Sequence, residues 1–173
     1  MQESWGDIFS GWVAKFLPLV SSFLWMILSL IPLRNDLNLV ARPMIGLMCV
    51  YFWVMYRPDL FGAFSVFVLG MFFDVLSIAP LGMYMLLYLI MYVMVTNVSK
   101  YITEKTFEIL LIGFSLLAAG VMIVGWIVSS LYYAQLVPVK SFLFSYLTSV
   151  ALYPVVAAVN AWIMNVFLQD DDI

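Results

Sequence analysis

Residues 42–84 read RPMIGLMCVYFWVMYRPDLFGAFSVFVLGMFFDVLSIAPLGMY and are the most informative stretch of the chain. Two apolar runs flank the triplet Arg57-Pro58-Asp59, which predicts a membrane hairpin with a tight turn. The second run carries one carboxylate, Asp74. A carboxylate in the middle of a membrane helix costs about 2.5–3.5 kcal/mol on insertion scales. We therefore expect Asp74 to face the interior of a helical bundle and to have a partner there.

The composition of the whole chain points to the same class of protein. The 173 residues are 66% hydrophobic and 10% charged, and the mean hydropathy is +1.10. A water-soluble domain of this composition would expose apolar surface everywhere. The net charge of −3 argues against nucleic-acid binding, and the lack of histidine with a single cysteine excludes a Cys/His metal site and an internal disulfide. We therefore expect an all-α polytopic membrane protein with one transmembrane domain over residues 1–173 and no cofactor.

Apolar segments separated by short polar or proline-containing loops predict six transmembrane helices in a compact bundle. Each segment approaches the roughly twenty residues that cross about 30 Å of hydrocarbon. The predicted spans cover residues 16–33, 42–56, 60–79, 83–98, 107–132 and 141–168. Residues 1–15 show helical amphipathic spacing, which favours an interfacial helix, although an extension of the first span fits the same pattern. Residues 169–173 form an acidic C-terminal tail.

The basic residues encode the orientation weakly. Four of them fall on the side of the N-terminus and three on the opposite side. By the positive-inside rule, this difference favours cytoplasmic termini. The first group is Lys15, Arg57, Lys100 and Lys105, and the second is Arg34, Arg42 and Lys140.

Arg42 is the candidate partner for Asp74. Arg42 lies sixteen residues before Pro58 and Asp74 lies sixteen residues after it, so two helical arms would bring both side chains to a similar depth. Pairing would offset much of the desolvation cost of both charges. Two alternatives remain open: Arg42 extends to the membrane interface, and Asp74 is protonated or bonded to hydroxyl and backbone groups.

Small residues and prolines mark the other candidate positions. Gly62, Val66, Gly70 and Asp74 recur every four residues, which predicts a face of the third span that packs closely against another helix; a substrate path along this face is the alternative. Pro43 suits the first turn of the second span. The proline of Tyr153-Pro154 would kink the last span, and Gly82 belongs to the turn after the third span.

These motifs resemble a known family, the bacterial rod shape-determining membrane protein MreD. The resemblance rests on the order and spacing of short motifs in a small polytopic chain, mainly within residues 42–84. The motifs are Arg42-Pro43, the aromatic run 51–53, Pro58, Gly70 with Asp74, Leu81-Gly82 and the late pair Tyr153-Pro154.

The resemblance implies a non-enzymatic component of the cell-elongation machinery in the bacterial inner membrane, which helps to maintain cell shape. The implied partners are MreC, the actin-like MreB filament, and the glycosyltransferase RodA with its transpeptidase. Gly70, Asp74 and the other motif residues would then serve structure or partner contacts. The family's fold also looks like the six-helix substrate-binding subunits of energy-coupling-factor vitamin transporters.

Two alternative functions fit parts of the sequence pattern. A vitamin-binding transporter subunit fits the size and the span count, but the first span lacks the spaced alanines with which such subunits dock on their transmembrane partner. A membrane enzyme acting on lipid would need paired carboxylates, an activated nucleophile or metal ligands, and a chain without histidine and with one buried acid offers few of these.

Overall fold

The structure is a computed structural model that describes residues 5–29, 43–77, 80–102 and 106–168. Side chains are described from residue 16 onward within these ranges and up to residue 167. The acidic tail at 169–173 and the side chains of residues 1–15 lie outside this description, so both expectations stay predictions. Because α1 runs without a break from Trp5 to Ser29, residues 5–15 are a helical continuation of the first predicted span.

Within the described ranges the chain forms six α-helices and no β-strand. They are α1 (Trp5–Ser29), α2 (Ile45–Tyr56), α3 (Ala63–Leu76), α4 (Met83–Ser99), α5 (Phe107–Tyr132) and α6 (Val139–Leu168). We call the end of the bundle where α1 and α3 finish and α2, α4 and α6 begin the upper end.

The helices match the predicted segments, with shifts at their ends. α3 begins three residues later than predicted because the amides of Leu60 and Phe61 both donate to the Arg57 carbonyl oxygen and extend the turn. Pro43 precedes α2 instead of opening it, since Met44 occupies the N-cap position. By length and composition, α5 and α6 are able to cross a membrane, whereas residues 16–29 and helices α2, α3 and α4 are shorter apolar helices.

Helix α2 is the centre of the bundle. It contacts α1, α4, α5 and α6, while α3 packs mainly on α4 and more lightly on α1. Ten consecutive residues of α2, Gly46 to Met55, are buried. A helix that is apolar on every side is stable only when other helices surround it, and here its neighbours supply that cover.

Three hydrogen bonds attach α2 to its neighbours. The Tyr51 hydroxyl donates to the Leu110 carbonyl oxygen of α5 at 2.9 Å, and the indole nitrogen of Trp53 donates to the Ser21 hydroxyl of α1 at 3.1 Å. At the upper end, the amide of Met44 donates to the Ser149 hydroxyl of α6 at 2.9 Å. Each bond satisfies a polar group that would otherwise be stranded among apolar side chains.

The α3–α4 hairpin has the closest helix approach, and Gly70 permits it. A Cβ atom built on Gly70 would lie 2.5 Å from the Cα atom of Met85. On the same helix, a Cβ atom on Gly62 would meet nothing within 4 Å. Of the two glycines expected to pack closely, Gly70 therefore does so and Gly62 does not.

Gly70→Ala is expected to force α3 and α4 apart, because backbone atoms of Met85 cannot move aside. Overpacking of this kind costs about 1–3 kcal/mol, so the thermal unfolding midpoint in detergent and the cellular amount of the protein should both fall. Gly62→Ala, which adds the same methyl group in open space, is the matched control. Equal effects of the two substitutions would contradict the close approach at Gly70.

Candidate functional site

Asp74 is buried on α3, with 3% of its surface exposed, and its carboxylate bonds to the backbone at the start of α4. Oδ2 accepts hydrogen bonds from the amides of Gly82 at 3.0 Å and Met85 at 3.2 Å. Oδ1 accepts a bond from the amide of Tyr84 at 2.9 Å. We call this arrangement the Asp74 cap. It satisfies three of the backbone donors that the first turn of any helix leaves without an intrahelical partner.

The local sequence explains why α4 needs a cap from another helix. Its N-cap residue is Gly82, which has no side-chain acceptor and adopts a left-handed conformation with φ of +90°. A glycine tolerates this conformation without steric cost. The turn closes with a bond from the Met83 amide to the Pro80 carbonyl oxygen. The remaining amides are partly buried, and the carboxylate of Asp74 takes the place of a capping side chain for them.

The Asp74 cap matches the alternative in which Asp74 is bonded to backbone groups. The sequence does contain a signal for it. The segment before α4 reads Pro80-Leu81-Gly82 and lacks the serine, threonine, aspartate or asparagine that usually caps a helix. A partly buried helix start without a local cap needs an acceptor from elsewhere. Asp74, eight residues upstream of Gly82, supplies it.

Arg42 lies outside the described residues, so its pairing with Asp74 stays a prediction. Both Asp74 oxygens already accept backbone bonds, and an arginine would be an additional donor rather than the sole partner. A double-mutant cycle with Arg42→Gln and Asp74→Asn measures the pairing. Coupling above about 0.5 kcal/mol would support contact, because distant sites add within roughly that range.

The upper end of the bundle also holds a cavity of about 210 Å³. Its floor is the start of α2, and its walls come from α1, α3, α4 and α6, represented by Ser29, Ser77, Tyr88 and Ser145. It exists because the central helix begins at Ile45, below the ends of the helices around it. Pro43 lines the cavity, as do Phe73 and Tyr84, which flank the Asp74 cap.

Tyr153 and Pro154 lie apart from the upper end, within α6. Tyr153 is buried and stacks on Phe114 of α5 with ring centroids 4.4 Å apart; it also meets Tyr51 of α2 edge-on at 5.6 Å. This aromatic cluster joins three helices. α6 continues through Pro154 to Leu168. The candidate residues thus divide between the upper end, with Pro43, Gly70, Asp74 and Gly82, and the aromatic cluster.

Asn160 is a buried polar residue that the sequence did not single out as a site. Its side-chain nitrogen donates to the Val156 carbonyl oxygen of its own helix at 3.0 Å. Its Oδ1 has no hydrogen-bond partner among the residues that the structure describes. Asn165 on the same helix is exposed.

Comparison with protein families matches residues 10–168 to the model for rod shape-determining protein MreD. The chain belongs to the MreD family. The match extends from α1 to the end of α6 and confirms the resemblance inferred mainly from residues 42–84. MreD is a family of structural, shape-determining membrane proteins, so the Asp74 cap and the aromatic cluster belong to a rod-shape protein. No curated protein and no solved structure matches the chain, and the resemblance to vitamin-transporter subunits stays a prediction.

Replacing Asp74 should lower the stability of this MreD-family chain, and the loss should grow with the number of hydrogen-bond acceptors removed. Asp74→Ala leaves three partly buried amides without this acceptor, at up to about 1–3 kcal/mol each. Asp74→Asn keeps one acceptor oxygen but turns an amino group toward the remaining amide. The expected order of thermal stability and of cellular amount is wild type, then asparagine, then alanine.

Asp59→Asn is the control for this series, because Asp59 is exposed and pairs with Arg57 at 3.3 Å in the turn between α2 and α3. It should leave both measurements close to wild type. An Asp74→Ala variant as stable as Asp59→Asn would show that the cap is dispensable.

Proposed function

We propose that this chain is a non-enzymatic, multi-pass component of the bacterial cytoplasmic membrane that scaffolds MreC and the peptidoglycan synthesis machinery. The observation that carries the proposal is the family match, which spans all the helices of the described chain. Rod shape determination follows from the family itself. The scaffolding role and its partners are the proposed refinement.

All six helices are proposed to cross or line the membrane, with both termini in the cytoplasm. α5 and α6 are long enough to cross alone. α2 is shorter, but its surface contacts other helices and not lipid. Its length therefore does not need to match the thickness of the bilayer. The residues exposed on the outer faces of α3 and α5, such as Phe64, Val75, Ile112 and Leu116, are apolar, as lipid contact requires.

MreC is proposed to bind through the membrane, on helix faces. The described connections are short: residues 57–62 join α2 to α3, and residues 133–138 join α5 to α6. A standard interface buries about 800 Å² on each partner, more than such loops provide. Helix association in lipid depends on close packing of side chains, and the exposed apolar faces offer that surface.

MreB and RodA with its transpeptidase are proposed as further members of the assembly, in direct contact or through MreC. A catalytic role is not part of the proposal. Asp74 is the buried carboxylate of the described residues, and its oxygens are bonded to backbone amides instead of facing a reactive partner. Among the described residues, no group of three or more histidine, cysteine or acidic side chains is arranged to hold a metal ion.

Exchanging the transmembrane segment of MreC for an unrelated apolar helix is the test of this proposal. With the periplasmic domain of MreC kept, co-purification with this chain should be lost, because the helix contact is gone. Loss of this chain from a rod-shaped cell should also give rounded cells. The measurement is pull-down from detergent extracts, with cell shape scored by microscopy.

Leu136→Ser supplies the matched control on this chain. Leu136 is 81% exposed in the connection between α5 and α6, so the substitution alters a loop without touching the helix faces. The complex should survive it. If the complex survives the exchange of the MreC segment but fails with Leu136→Ser, the loops and not the helices form the interface.

A further inference from the structure

We propose that the upper cavity binds the phosphate group of a membrane lipid head. The cavity is enclosed by five of the six helices. Its volume of about 210 Å³ equals that of roughly seven waters at about 30 Å³ each, which suits a phosphate with its attached glycerol. The proposal concerns a ligand of this chain alone and does not depend on MreC.

Tyr88 supplies the first observation. It is 2% exposed and lines the cavity. The hydroxyl lies at the first turn of α2, where the lack of a side chain on Gly46 makes room for it. A phenol hydroxyl can donate a hydrogen bond to a ligand or to water. Tyr88 is thus a donor placed at the cavity floor.

Serine side chains supply further hydroxyl groups in the cavity. Ser77, Ser141 and Ser145 line its walls, and the Oγ of Ser77 is buried with no partner among the described residues. The floor is the N-terminal end of α2, whose dipole favours a negative group. Hydroxyl donors and a helix start together favour an oxygen-rich anion, and a phosphate fits that description.

Asp74 is not among the residues that line the cavity, and its carboxylate accepts hydrogen bonds from the amides of Gly82, Tyr84 and Met85. The exposed Lys140 directly precedes Ser141, a lining residue, at the start of α6.

The remaining lining favours a lipid over a free anion. Met44, Ile45, Phe73, Met83 and Phe142 make much of the wall apolar. A free phosphate would leave this apolar surface without contact, whereas the glycerol and first methylene groups of a lipid would cover it. The end of a membrane-spanning bundle is also the depth at which lipid phosphates lie.

The test uses the full chain, purified in detergent and stripped of lipid. Three probes are added separately: dioleoyl phosphatidylglycerol, dioleoylglycerol, which has the same acyl chains without phosphate, and inorganic phosphate. Binding is measured by native mass spectrometry and by the thermal unfolding midpoint. Phosphatidylglycerol should bind and raise the midpoint, while the other two should not.

Tyr88→Phe removes only the hydroxyl and should weaken phosphatidylglycerol binding about tenfold, the value of one hydrogen bond to a charged group. Tyr101→Phe, the same change at a residue that is 86% exposed beyond the other end of α4, should bind like wild type. Ser145→Ala is the second cavity variant, and it should weaken binding in the same direction should Tyr88→Phe fail to fold.

Equal binding of dioleoylglycerol would show that the cavity takes hydrocarbon and would overturn the proposal. Binding of inorganic phosphate alone would assign the site to a free anion. If no probe binds, the lipid site is equally refuted, and a segment of protein becomes the remaining candidate occupant of the cavity. Identical affinities of the Tyr88→Phe and Tyr101→Phe variants would place the lipid elsewhere.

Discussion

The structure depends on one requirement: the partly buried backbone amides at the start of α4 must find hydrogen-bond acceptors. Asp74 meets it with two oxygens and three amides. Because those bonds join α3 to α4, they fix the height of one helix against the other. That height brings Gly70 against the backbone of Met85, and Phe73 meets Tyr84 edge-on with centroids 4.6 Å apart. A carboxylate that is costly in lipid is thereby used to satisfy several other polar groups.

A second constraint shapes the rest of the bundle. α2 is short and buried on all sides, so its polar groups must also find protein partners, and Tyr51, Trp53 and Met44 bond to three different helices. Since α2 starts below the ends of the surrounding helices, a cavity opens above it. The same geometry that centres α2 therefore creates a cavity, and the Ser77 Oγ, which belongs to its lining, is buried without a partner among the described residues.

The sequence predicted much of this architecture because hydrophobic runs separated by turn residues mark apolar helices directly. The predicted span 107–132 has the same bounds as α5. The turn predicted at Gly82 does require a positive φ. The burial of ten consecutive residues in α2 was not predictable, since an all-apolar helix reads the same whether it faces lipid or protein. The sequence favoured Arg42 as the partner of Asp74, because oppositely charged residues can be read directly from a sequence. Backbone amides that lack a partner cannot be read in this way, because they depend on the conformation of the turn. The contrast between Gly62 and Gly70 likewise depends on the position of α4, which helical spacing alone does not give.

Amide hydrogen exchange at the start of α4 tests the Asp74 cap most directly. In isotope-labelled protein in micelles, the amides of Tyr84 and Met85 should exchange as slowly as those inside α5, although no intrahelical acceptor is available to them. In the Asp74→Ala protein their exchange should quicken by roughly tenfold or more while the α5 amides keep their rates. Unchanged protection of the Tyr84 and Met85 amides in that variant would contradict the account, because a group other than Asp74 would then accept their hydrogen bonds.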